Sequence, residues 1–185
     1  VPRYAALLRG INVGRHRRLP MADLRRVLTG LGYEGVRTYL QSGNAVLTAP
    51  ETDPERLAAH IQEAVTAQVG INTAVLIRTG AELAAVVAAN PFPEAVTEPK
   101  RLIVVFLSAP VDPAWTAGQD PTAYAPDEFR VGERVVYLRY ARSPVDSALS
   151  GLSGPPGVTA TTRNWNTVTA LAGLTAADPE PGSLT

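Results

Sequence analysis

The sequence predicts an α+β fold, and three observations carry that expectation. Elements that read as strands and helices run in the order β-α-β-β-α-β within residues 1–79. A looser version of that order fills 80–175, and the strands at 3–8 and 73–78 are apolar on both faces. The order is that of the split β-α-β, or ferredoxin-like, α-β plait. Two ferredoxin-like subdomains packed together are therefore expected, at 1–79 and 80–175, the second less regular. Residues 176–185, rich in Pro, Gly and acid, read as a disordered tail.

Taken in order, Tyr4-Ala5-Ala6-Leu7-Leu8 is a short buried strand. Pro20 suits the first turn of a helix whose stripe is Met21, Leu24, Val27, Leu28 and Leu31, with Gly32 as its stop. Residues 36–40 and 45–48 form a hairpin about Ser42-Gly43-Asn44. Thr52 or Asp53 caps a helix that carries Leu57, Ile61, Ala64 and Val65 and ends at Gly70. A fourth strand covers 73–78. Right-handed crossovers then place the first and third strands side by side and antiparallel in the centre of the sheet.

The second half begins with a helix over 81–89, ended by Asn90-Pro91. An apolar strand at 102–107 and a short helix from Asp112-Pro113 toward Gly118 come next. A hairpin pairs 128–131 with 134–140 through Gly132-Glu133, and a short helix lies around 146–152. A stub strand at 158–160 precedes the last helix, 163–174, with Thr161 or Thr162 as its cap. On that helix Trp165, Val168 and Leu171 share one face, the spacing of a core stripe. A sheet with helices on one side needs cover on the other when both faces are apolar. The second half of the chain is the economical cover; a homodimer is the alternative.

Composition narrows the chemistry. The chain is 45% hydrophobic and 18% charged, as in a globular protein with a real core. It has no cysteine, which removes disulfides, thiolate metal sites and a cysteine nucleophile. With two histidines a zinc site is not expected, nor is any other metal or cofactor. The apolar run at 4–8 is too short for a signal peptide and no stretch nears a membrane span, so a cytoplasmic protein is expected. Charge is asymmetric: residues 1–80 carry 10 Arg against 6 Asp/Glu, and residues 81–185 carry 7 Lys/Arg against 11. That split fits an anionic ligand on the first half, or mutual attraction of the halves.

Three polar clusters sit at strand ends: Arg9-Gly10-Ile11-Asn12-Val13-Gly14, Gln41-Ser42-Gly43-Asn44, and Arg163-Asn164-Trp165-Asn166-Thr167. Central pairing of the first and third strands brings the first two together at one sheet edge. Glycines there permit positive φ and close backbone approach. The loop matches no Gly-Lys-Ser/Thr or G-x-G-x-x-G fingerprint. Candidate ligand-binding residues are Arg9, Asn12, Gly14, Ser42, Asn44, Arg163 and Asn166. Their alternative role is to satisfy loop backbone groups and tie the halves together. The ligand would be small and anionic or polar. The other function classes are an enzyme of unknown reaction using Arg9 or Arg163 electrostatically, and nucleic-acid binding through residues 15–18 (Arg15, His16, Arg17, Arg18) with Arg25 and Arg26. Against nucleic acid, the third strand, Ala45-Val46-Leu47-Thr48, lacks the aromatics on which an RNA-recognition sheet stacks bases.

These clusters, with Thr38-Tyr39-Leu40 before the second and Thr161-Thr162 before the third, resemble the signatures of the bacterial family catalogued as domain of unknown function 1697. Asn90-Pro91-Phe92 fits as well, and the resemblance spans residues 3 to about 174. It implies two α-β plaits and carries over no catalytic role. Arg15 stands where many members have a second glycine, and residues 143–153 lack the Ser-Lys pair and longer helix usual there.

Overall fold

The computed structural model describes residues 1–176 of the 185-residue chain. The tail expected at 176–185 lies, apart from Ala176, outside the described residues. The fold is mixed α+β, with two four-stranded antiparallel sheets and five α-helices among the described residues.

The first sheet has the order β2-β3-β1-β4, from β1 (Arg3–Leu8), β2 (Glu34–Thr38), β3 (Asn44–Thr48) and β4 (Val75–Thr79). Helices α1 (Met21–Gly30) and α2 (Pro54–Val69) connect them and pack on the face formed by Tyr4, Ala6 and Leu8. Their ends follow local chemistry. Asp53 accepts from the Glu55 amide at 2.9 Å, Pro54 opens α2, and Gly70 stops it at φ 75°.

The second sheet has the order β6-β7-β5-β8, from β5 (Leu102–Leu107), β6 (Glu128–Gly132), β7 (Val135–Arg139) and β8 (Ala160–Asn164). Its outer face, Val105, Leu107, Val136 and Leu138, is covered by Leu149 and Leu152 and flanked by Trp115 of α4 (Pro113–Ala117). The other two helices, α3 (Gly80–Ala88) and α5 (Trp165–Thr175), follow directly on β4 and β8. Ala5, Leu7, Val46 and Leu76 of the first sheet share one buried cluster with Val104, Phe106, Val135 and Tyr137 of the second. Leu83 and Val86 of α3 and Trp165, Val168 and Leu171 of α5 complete it. The second face of β1 is thus covered by the same chain, and Trp165 is a core anchor.

Several expectations are corrected. The strand read at 36–40 is shifted to Glu34–Thr38, because Leu40 takes φ 56°, incompatible with a strand. The strand read from residue 73 starts at Val75, since the Thr73 hydroxyl is taken by the Arg9 carbonyl at 2.6 Å. Gly132 belongs to β6, and Arg134 supplies the left-handed turn residue at φ 54°. The short helix around 146–152 is two 3-10 turns, Pro144–Asp146 and Ala148–Gly151.

The largest correction concerns the last motif. Residues 160–164 are strand, so Arg163 is a strand residue and the helix starts at Trp165. The β-branched pair Thr161-Thr162 favours an extended chain, and Asn164, not Thr161 or Thr162, caps α5 by accepting from the Thr167 amide at 3.0 Å.

Candidate functional site

The register of β1 against β3 pairs Leu7 with Asn44, and the Leu8 amide donates to the Gly43 carbonyl at 2.8 Å. Arg9-Gly10 therefore lies beside Ser42-Gly43. The Arg9 backbone is clamped at both ends: its amide donates to Ala74 O at 2.9 Å and its carbonyl accepts from Thr73. Its guanidinium is another matter. It is exposed and makes no hydrogen bond or ion pair among the described residues.

Asn12 fastens the loop that follows. Its side chain donates to Leu19 O at 2.9 Å and Gln41 O at 2.6 Å, and accepts from the Leu19 amide at 2.9 Å. Those bonds hold it at φ 55°, a left-handed conformation that asparagine tolerates better than most residues. Asn44 is fully buried and donates to Tyr39 O and to the Ser42 hydroxyl, fixing the β2–β3 turn. Both asparagines hold backbone in place.

Arg163 reaches across from β8 into that turn. It is 6% exposed and donates to six acceptors: Asn44 Oδ1, Thr161 Oγ1 and the carbonyls of Thr162, Leu8, Ser42 and Gly43. No carboxylate among the described residues pairs with it. Burial lowers its pKa to about 10, which leaves it cationic at neutral pH. A buried charge without a counter-ion is tolerable only because every guanidinium nitrogen is hydrogen-bonded.

A cleft of about 660 Å³ opens between the end of β1, the β2–β3 turn and the loop that leads to β8. Arg9, Ser42 and Arg163 line it together with Gly10, Ile11, Val13, Thr162 and residues 153–158. Among the described residues its wall contains no Asp, Glu or His. Asn12 and Asn44 lie behind it, and Gly14 and Asn166 are not among its lining residues. Gly14 stands in the loop at φ 65°, and Asn166 is exposed in the first turn of α5. Sequence reasoning missed the wall at 153–158 and the Thr162 hydroxyl. Ser153-Gly154-Pro155-Pro156-Gly157 signals only a loop, and nothing local tells that it faces Arg9.

Arg17 is the other residue missed as an individual. Its Nη1 lies 4.0 Å from where a Cβ on Gly10 would stand, and its Nη2 donates to Asn72 O at 2.6 Å. A second cavity of about 370 Å³ lies between α3 and the β6–β7 turn, on Val86, Val135 and Tyr137. Its wall holds Glu82 and Glu133 beside its arginines, and Arg134 stands 3.7 Å from Glu82, so its charges are largely matched internally.

The comparisons with known proteins agree with this architecture. The model of the family described as "Protein of unknown function (DUF1697)" matches residues 1–137, and the chain belongs to that family. The matched span includes the loop after β1 and the β2–β3 turn; β8 and α5 lie beyond it. The fold is similar to the solved structure of a conserved bacterial protein from Streptococcus pneumoniae, at TM-score 0.74 and 22% identity, covering 95% of this chain and 99% of that one. No curated protein matches the chain. Among the described residues no helix is long and apolar enough to cross a membrane.

Proposed function

We propose that the chain binds a small anionic ligand in the cleft between Arg9, Ser42 and the loop before β8. One observation carries the reading. Among the described residues the Arg9 guanidinium has no partner, and the cleft it lines with Arg163 has no carboxylate on its wall. Positive charge left uncompensated in a concave, partly desolvated site attracts an anion and holds it more strongly than a flat surface does. The hydroxyls of Ser42 and Thr162 add orienting groups. In this reading Asn12, Asn44 and Arg163 position the site, and Arg9 touches the ligand.

Among the described residues the lining side chains include no carboxylate or imidazole to move a proton, which favours binding over acid–base catalysis by this wall. The strand orders β2-β3-β1-β4 and β6-β7-β5-β8 support taking each sheet with its connections as an α-β plait, divided near residue 79. A cysteine-free chain suits the cytoplasm.

Thermal unfolding with a panel of small anions, on the wild type and on Arg9→Ala, tests the proposal. An anion at 100 times its dissociation constant should add about 2.7 kcal/mol to the wild type. Arg9→Ala should unfold within about 0.5 kcal/mol of the wild type without ligand and gain nothing from the anion. An anion that stabilises both proteins equally, or none that stabilises the wild type, would sink the reading.

A further inference from the structure

We infer that the anion is a phosphate monoester, held through its dianionic phosphate; the inference rests on the anion-binding reading of this cleft. Charge is the first argument. Two guanidinium groups, those of Arg9 and Arg163, line the cleft, and a third stands next to its wall, Arg17 Nη1 lying 4.0 Å from where a Cβ on Gly10 would be. Arg163 and Arg17 hydrogen-bond only to neutral oxygens, and Arg9 makes no bond among the described residues. A monocarboxylate leaves most of that charge unmatched. A dianion matches more of it.

Donor geometry is the second argument. The amides of Gly10 and Ser42, both exposed, donate to no acceptor among the described residues, and the exposed Thr162 hydroxyl is equally unused. Together with the open fork of Arg9 they offer donors from the end of β1, the β2–β3 turn and β8. A phosphate presents three terminal oxygens in a tetrahedron, whereas a carboxylate presents two in one plane. Gly10 is left-handed at φ 61°, so the backbone can approach the anion with no Cβ between.

The wall supplies the third argument. Beside the arginines the cleft carries Ile11, Val13, Val158 and the two prolines 155 and 156, and Val13 is 70% exposed. Bare phosphate has nothing to lay on that apolar side. The organic group of an ester does.

Titration calorimetry on the full chain with phenyl phosphate, inorganic phosphate and benzoate, at constant ionic strength, tests this. Phenyl phosphate should bind most tightly and benzoate most weakly. Its affinity should rise between about pH 5 and pH 7.5, because the second ionisation of a phosphate monoester lies near 6, while benzoate stays flat. Arg17→Ala should weaken phenyl phosphate by about tenfold, the loss of one charge-assisted contact, and leave benzoate nearly unchanged. Benzoate bound as tightly as phenyl phosphate, with Arg9→Ala abolishing both, would overturn the phosphate assignment and leave the anion site standing. Inorganic phosphate equal to phenyl phosphate would overturn the ester. No heat from any of the three probes would overturn the proposed function along with the inference.

Discussion

Arg78 on β4 and Arg163 on β8 occupy corresponding places, and the comparison shows how the two halves meet. Arg78 pairs with Ala5 of β1, and Arg163 pairs with Val104 of β5. Each then reaches the opposite sheet: Arg78 donates to Leu107 O at 2.5 Å, and Arg163 donates to Leu8 O at 2.8 Å. Each also donates to the carbonyl of the residue before it, Ile77 or Thr162. The amides of the same two end residues bond across to corresponding places, Leu8 to Gly43 and Leu107 to Arg134. The sheets are therefore joined by reciprocal latches, in which an arginine from each caps the end of the other's central strand.

The difference lies beside the latch. Gly43 and Arg134 correspond, and both are left-handed, at φ 87° and φ 54°. At Gly43 no side chain intrudes, and the cleft of about 660 Å³ opens with Arg9 on its wall. At Arg134 the guanidinium donates to Ser108 O at 2.9 Å, and the groove there is about 270 Å³. Ser108 stands where the first half has Arg9. One framework thus yields an open cationic cleft and a smaller groove occupied by its own arginine. On their walls they differ in the arginine: Arg9 makes no side-chain bond among the described residues, whereas Arg134 is bonded to Ser108.

Removing the latches should give the largest effects and should separate them. Arg163→Ala strands Asn44 Oδ1, Thr161 Oγ1 and Leu8 O in a buried place. At about 1–3 kcal/mol for each buried acceptor left bare, partly relieved by relaxation, a loss of about 3–5 kcal/mol is expected. Arg78→Ala should cost less, about 1–3 kcal/mol. Burial, with the nearby like charge of Arg134 adding to it, lowers the Arg78 pKa to about 10, so the truncation also removes a repulsion. Urea unfolding midpoints measure both. Equal losses would mean that the latches are energetically interchangeable and that the asymmetry is confined to the cleft.

Exchange at the left-handed turn comes next. A Cβ at Gly43 would stand 2.8 Å from Ile11 Cδ1 and 3.0 Å from Leu8 Cβ, at a φ that disfavours any side chain. Gly43→Ala should cost about 2–3 kcal/mol, strain and overpacking together. Arg134→Gly relieves its left-handed backbone but gives up the bond to Ser108, so its net change should stay within about 1 kcal/mol. If Gly43→Ala were as mild as Arg134→Gly, Ile11 and Leu8 would give way to a Cβ at residue 43 at little cost, and the two turns would be energetically alike.

How much of this is legible in a sequence depends on how far apart the interacting residues lie. The strand at 3–8 and the capped helix at 54–69 are local patterns, visible as apolar runs, a proline after an aspartate, and a terminal glycine. The approach of Arg9 to Ser42 is legible one step further on, because antiparallel pairing of the first and third strands requires it. Arg163 is not. Its acceptors Leu8 and Asn44 come from the other sheet, and Thr161-Thr162, which form strand, look like helix caps when read alone. Asn12 reads equally as a ligand contact or as a group that satisfies loop backbone, and its bonds to Leu19 and Gln41 give it the second role. The wall at 153–158 is Gly and Pro, residues that report backbone shape and carry no chemistry of their own.

The smallest effect tests the correspondence where the latch strands become helices. Thr79 caps α3 and Asn164 caps α5, each accepting from the amide three residues on, at 3.1 Å and 3.0 Å. Removing an N-cap costs about 0.5–2 kcal/mol. The two caps are not equally supported. At α3 the Glu82 carboxylate reaches back to the Thr79 amide at 2.7 Å, and it also places negative charge in the first turn, where the helix dipole favours it. At α5 the corresponding residue is Thr167, whose hydroxyl instead donates to Asn164 at 3.2 Å, and the first turn has no acid. Thr79→Ala keeps the bond from its own amide to Glu82, so it should lose about 0.5 kcal/mol; Asn164→Ala loses the acceptor for both Thr167 groups and should lose about 1–1.5 kcal/mol. Thermal unfolding resolves that gap in a domain of this size. A larger loss at Thr79 would mean that the N-terminus of α5 is held by the packing of Trp165 in the buried cluster and not by its cap.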